Sequence, residues 1–216
     1  MEQKTLTADI ITKLSTKGRM AMSASTIINA VIFLTTAILL TSRFRKDGRW
    51  DIQRGLKAFR FFTVLSNAFC AISALVLLIS EMSGSPSPAA LLFKYLGTVS
   101  VTVSFLTVML FLGPTQGYKK MLSGQDIYMH LIGPLLAIIS FCFLEKRNMT
   151  LATAMIGVVP VLIYALIYLY KVIYAPADRR WDDFYGFNRG GRWPVAFAAM
   201  IGGAAVACVL LWVVGR

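Results

Sequence analysis

His130 is the only histidine in the chain, and it stands inside an apolar run rather than in a charged connector. An ionisable side chain at such a place marks a functional site by default. Burial disfavours the charged ring, so the imidazole is kept neutral and basic near pH 7. Four residues on, Pro134 lacks an N–H, and its ring clashes with the carbonyl of His130. This spacing predicts a kink with a free acceptor beside the imidazole. Asp126, one turn before His130, is placed to cap the helix start and to orient the ring through water.

A hydroxyl partner lies in an earlier apolar run. Thr63 and His130 each fall about one turn inside their runs, roughly 5 to 6 Å below the same membrane face at 1.5 Å per residue. Hydroxyl and neutral imidazole together are the minimum apparatus for nucleophilic acyl transfer. Ser66 and Asn67, close behind Thr63, are candidate oxyanion donors. Cys70 is a rival nucleophile, but burial in hydrocarbon raises a thiol pKa and makes it inert. Arg60, Lys57, Lys119 and Lys120 sit at the ends of these runs and could meet a carboxylate head; equally, they could snorkel to lipid headgroups. Other hydroxyls, among them Thr26, Thr35, Thr102, Thr107 and Thr153, can bond back to a carbonyl one turn earlier and need no function.

The elements that must position these groups are membrane helices. Of the 216 residues 57% are hydrophobic and 15% charged, with a mean hydropathy of +0.67, whereas a soluble domain carries about 25% charged residues. Six stretches, 21–42, 59–80, 91–112, 127–144, 151–173 and 195–214, approach the ~20 apolar residues that cross a bilayer as a helix. None alternates with the period of two that a barrel strand needs. The expected fold class is therefore all-α, a polytopic six-helix transmembrane bundle forming one domain over residues 21–216. Residues 1–20, with Leu6, Ile10 and Leu14 among basic residues, read as an interfacial or flexible segment. The Ser83 to Pro88 connector is a turn, and Gly113-Pro114 is expected to end the third helix.

The net charge of +12 does not indicate nucleic acid, because the Lys and Arg lie in short connectors. Fourteen of the 22 Lys and Arg belong to the loops between helices one and two, three and four, and five and six. The positive-inside rule makes that side cytoplasmic and both termini external. One His and three Cys inside apolar runs offer no metal site, no haem pair and no disulfide framework, and no cofactor is expected. On the last helix Ala199, Gly203 and Ala207 recur at every fourth residue, as do Ala198 and Gly202. Such ridges let helices approach closely, within the bundle or in a homodimer. Residues Trp181 to Phe187, on the same face as Thr63, could form a lid over an entrance or an interfacial aromatic belt.

The segments Phe61-Phe62-Thr63-Val64-Leu65-Ser66-Asn67 and Met129-His130-Leu131-Ile132-Gly133-Pro134-Leu135-Leu136 resemble the androgen-induced-gene and androgen-dependent TFPI-regulating protein superfamily, and look closest to its small bacterial membrane members. The resemblance covers about residues 55 to 190 and is concentrated in these two motifs. It implies a multi-pass bundle in a bacterial cytoplasmic membrane and an intramembrane threonine hydrolase acting on fatty acid esters of hydroxy fatty acids, with Thr63 and His130 in the essential positions. Two features depart from the pattern. The bacterial branch carries a Tyr-Pro-Tyr-Pro-Phe type segment where this chain has aromatics without prolines, and the animal members have cytoplasmic termini. The expectation is thus a Thr/His-dependent lipid ester hydrolase or acyltransferase. The alternative is a lipid-binding or transport protein using the same pocket without chemistry.

Overall fold

The computed structural model describes residues 23–84, 86–145 and 149–216, so the expected N-terminal interfacial segment lies outside the described residues. The described chain is almost entirely helical. Helix α1 (Ala24–Arg43) begins on Ser23, whose hydroxyl accepts the Thr26 N–H at 3.1 Å. A two-stranded ribbon, Arg45–Lys46 with Arg49–Trp50, turns back through Asp47 and Gly48, both at positive φ. Asp-Gly favours such a turn. A short helix α2 (Ile52–Ala58) then leads into α3 (Phe62–Met82). After a tight connector, α4 begins at Pro88, capped by the Ser87 hydroxyl, and runs to Gln116. Helix α5 (Tyr118–Met121) is one turn long; α6 is Tyr128–Leu144, α7 Leu151–Tyr174 and α8 Trp193–Val214.

Five of these helices, α1, α3, α4, α7 and α8, are long and apolar enough to cross a membrane. The remaining apolar helix, α6, has 17 residues. At 1.5 Å per residue that is about 25 Å, somewhat short of the ~30 Å hydrocarbon core.

Helix α4 is the hub. It packs against α3, α6, α7 and α8, while α1 closes the other side against α3 and α6. The main core joins Tyr95, Val99 and Val103 of α4 to Phe141 of α6, Val161, Tyr164 and Tyr168 of α7, and Ala204, Ala207 and Leu211 of α8. Tyr95 has its hydroxyl between the carbonyls of Ala154 and Cys208, at 2.9 and 3.3 Å. No lipid can satisfy a polar group at that depth, so the hydroxyl must find a backbone partner.

The two Gly-Pro pairs behave differently from the sequence expectation, and in the same way as each other. Gly113-Pro114 does not end its helix; α4 continues through it to Gln116. In both cases a five-residue π turn comes just before the pair, Val108–Leu112 in α4 and Tyr128–Ile132 in α6. Gly113 N–H bonds Val108 O and Gly133 N–H bonds Tyr128 O, five residues back. The wider turn accommodates the proline ring where a regular helix would clash with it, so each proline sits at a local π bulge within a continuous helix.

Helices α3 and α4 cross most closely at Gly97, where an added Cβ would run into Ser73 Oγ and approach the Cα of Cys70 at 3.0 Å. Overpacking of this kind costs about 1 to 3 kcal/mol. The Gly97→Ala protein is therefore expected to unfold at clearly lower temperature than wild type in detergent, while Gly202→Ala, with open space around its Cβ position, is not.

Candidate functional site

Thr63 is the second residue of α3. The residue before that helix, Phe61, carries no side-chain cap. The cap comes instead from far along the chain: Tyr185 Oη accepts the Phe62 N–H at 3.0 Å. Ser104 of α4 donates its hydroxyl to Thr63 Oγ1 at 3.0 Å. Thr63 thus keeps its own proton to give, and its oxygen is held in place from two helices.

Thr63 and Ser104 lie in the wall of a cavity of about 360 Å³. Thr107, Leu110 and Phe111 of α4 form one side, and Ala196, Ala199, Met200 and Gly203 of α8 the other. Tyr164 and Tyr168 form its back, while Tyr185 to Phe187 close the end near Thr63. Ala199, Gly203, Leu110 and Phe111 are exposed at the protein surface, so the cavity opens sideways as a groove between α4 and α8. Its lining is mostly apolar: the Thr107 hydroxyl donates back to Val103 O at 2.8 Å, and Thr63, Ser104 and Tyr185 bring hydroxyls to the closed end.

His130 is not among the residues lining this cavity. It sits in the π turn of α6 with Nδ1 2.6 Å from Met121 O. A carbonyl can only accept, so Nδ1 carries the hydrogen and Nε2 is left with its lone pair. Asn67, 2% exposed, joins the two elements: its Nδ2 donates to Thr63 O at 2.8 Å and to Met129 O at 2.9 Å. The structure therefore ties the backbone of Thr63 to the residue preceding His130, without placing the imidazole in the groove.

The other expected site residues divide. Both Asn67 amide hydrogens are committed to carbonyls, and the Ser66 hydroxyl, also 2% exposed, donates to Thr63 O at 3.2 Å. Neither lines the cavity, so the oxyanion expectation for this pair has no geometric counterpart. Asp126 pairs with Arg43 of α1 rather than capping α6 through its side chain. Arg60 lies at the closed end of the groove, its carbonyl accepting the Tyr164 hydroxyl at 2.8 Å and its guanidinium 5.8 Å over the Trp181 ring. Lys119 and Lys120, on the one-turn α5, are exposed.

The loop after α7 is more ordered than its composition suggests. Asp183 accepts three hydrogen bonds, from Tyr168 Oη at 3.2 Å, Phe187 N at 2.7 Å and Asn188 N at 2.8 Å. Phe184 packs tilted against Phe61 and edge-on to Tyr168, and Lys171 and Arg60 flank Trp181. Burial pushes the Tyr185 hydroxyl up to about 12, against which the Phe62 amide works in the opposite sense. Tyr185 was visible in sequence only as one of the four aromatics in the Trp181 to Phe187 segment. A hydroxyl that caps a helix 120 residues earlier leaves no local signal.

A second polar cluster occupies the opposite face. Glu81 accepts from Ser25 and Thr26 at 3.0 and 2.7 Å. Asn29 donates to Ser25 and to Glu145, both at 3.2 Å, and Ser140 donates to Glu145 at 2.7 Å. Lys94 is 0% exposed, and its ammonium has no hydrogen-bond acceptor among the described residues.

Two outcomes follow for the loop. Asp183→Ala removes the acceptor of three bonds, worth about 1.5 to 3 kcal/mol each when charged and buried but less at this half-exposed site. Limited proteolysis should then cut within 182–192 faster than in wild type while α7 and α8 stay intact. Tyr185 has its folded pKa above the unfolded one, so its contribution is complete below pH 10 and lost as pH rises to about 12. Loop protection should fall over that window, and Tyr185→Phe should remove the alkaline step.

No protein-family model, curated protein or solved structure matches this chain.

Proposed function

We propose that the protein is an intramembrane hydrolase or acyltransferase of lipid esters, with Thr63 as nucleophile and His130 as general base. The observation that carries this reading is the placing of one hydroxyl, oriented by Ser104, at the closed end of an apolar groove open to the bilayer. Asn67 links the Thr63 carbonyl to that of Met129, next to His130 on α6, and the Met121 carbonyl holds the neutral imidazole with its hydrogen on Nδ1 and Nε2 as the basic nitrogen. A six-span arrangement in a bacterial cytoplasmic membrane belongs to the same reading, with α6 as the short span carrying the base.

In the reaction Thr63 Oγ1 attacks the ester carbonyl carbon as its proton passes to His130 Nε2, directly or through one water. The carbonyl π bond becomes an oxyanion, which the Tyr185 hydroxyl is placed to receive; its raised pKa keeps it protonated and able to donate. The C–O bond then breaks, the alcohol leaves with the proton from His130, and water or another alcohol releases the acyl group from Thr63. Imidazole outside the groove wall is what favours the second reading, in which the groove holds a lipid and no bond is cleaved.

A fluorophosphonate probe applied to membranes separates the two. Labelling is expected in wild type, lost in Thr63→Ala and reduced at least tenfold in His130→Ala. Labelling that persists without Thr63 overturns the nucleophile assignment. An unlabelled wild type that binds fatty acid but turns over no ester gives the lead to the holding role.

A further inference from the structure

The small-residue ridge of α8 packs into the core at Ala207 but is left open at Gly202 and Gly203. An added Cβ at Gly202 or Gly203 would meet no atom within 4 Å, so no helix of the bundle packs there. Ala199 and Gly203 instead form the floor of the groove facing Leu106, Thr107 and Leu110 of α4. We infer that this face of α8 is the seat of a single acyl chain, with Gly203 setting how far the chain reaches. The inference rests on the reading above for what happens at the polar end, but concerns chain binding alone.

Three observations point to this occupant. The groove is amphipathic along its length: Thr63, Ser104 and Tyr185 gather at the closed end, which suits a carboxyl or ester carbonyl, and only apolar atoms line the rest of the α8 wall. Its volume fits one chain. A cavity of about 360 Å³ lies at the small end of the ~300–1,000 Å³ range of small-molecule pockets, the scale of one chain rather than of a whole two-chain phospholipid. The lateral opening gives chains access from the hydrocarbon without crossing water. A second copy of α8, the rival occupant, presents a cylinder about 10 Å across that cannot reach the hydroxyls at the closed end.

Gly203 lies seven residues from Ala196, about 10 Å deeper along α8. A leucine there fills the deep end and leaves the shallow end open. Neither Gly203 nor Gly202 is at positive φ, so both accept a side chain without backbone strain, and Gly202 is outside the groove. This makes Gly202→Leu the matched control.

The test uses the full chain in dioleoylphosphatidylcholine vesicles, photolabelled with a diazirine-bearing hexadecanoic acid and competed with octanoic and hexadecanoic acids. It is run in the wild-type and Thr63→Ala backgrounds, so failure of chain binding and failure of cleavage are read separately. Labels are expected on α4 and α8 peptides. In Gly203→Leu the advantage of hexadecanoic over octanoic acid as competitor should fall at least tenfold, with octanoic acid changed less than twofold; Gly202→Leu should match wild type. The inference is overturned if Gly203→Leu and Gly202→Leu behave alike, or if labels map away from the groove. It is also overturned if Gly203→Leu abolishes a cross-linked dimer while chain competition stays at the wild-type level.

Discussion

The hydrogen bond from the Phe62 amide to the Tyr185 hydroxyl holds the Thr63 end of the groove together. The first amides of a helix have no partner of their own, and in a membrane face they cannot be left bare. Here no nearby side chain meets the need, so the chain returns after α7 to supply a phenol. That one requirement fixes the loop against α3, closes the end of the groove and sets a protonated hydroxyl next to Thr63. Asp183 then serves the loop, the loop serves the cap, and the cap positions the helix that begins at Phe62 and carries Thr63.

The π turns in α4 and α6 are the second organising device. A proline within a buried helix ordinarily breaks the ladder, but a wider turn lets the helix continue with its neighbours still packed. On α4 the wide turn lies along the groove, through Val108, Leu110 and Phe111. On α6 it carries His130 and lets Asn67 reach Met129 O. Of the four π turns among the described residues, these two lie in the groove wall and in the segment that bears His130, while Ser140–Leu144 and Tyr170–Tyr174 end α6 and α7.

The helical spans were legible because each is a long apolar run closed by turn or charged residues, and the bilayer demands that pattern. Thr63 and His130 stood out as polar groups in such runs. What the sequence could not convey was register. A π turn adds a residue to the helical repeat, so faces inferred from a 3.6 period shift on crossing Tyr128–Ile132, and His130 need not share the face of the groove. Nor could pairwise reading separate a donor from a committed one: Asn67 is well placed by spacing, yet both its hydrogens are spent on carbonyls. The small residues of α8 were legible as a ridge, but whether a ridge meets a helix or leaves a groove depends on where α4 stands.

Lys94 bears on what this packing costs. Its ammonium lies seven residues into α4, within the Coulomb field around Cys70 that Glu145 of α6 shares. A lysine at the centre of an isolated membrane helix costs about 3 kcal/mol on insertion scales, and less toward an end. Helix α4 is the hub against which α6, α7 and α8 pack, yet it carries a buried charge for which no acceptor stands among the described residues. The most connected helix of the bundle is thus also one whose burial costs desolvation that its packing must offset.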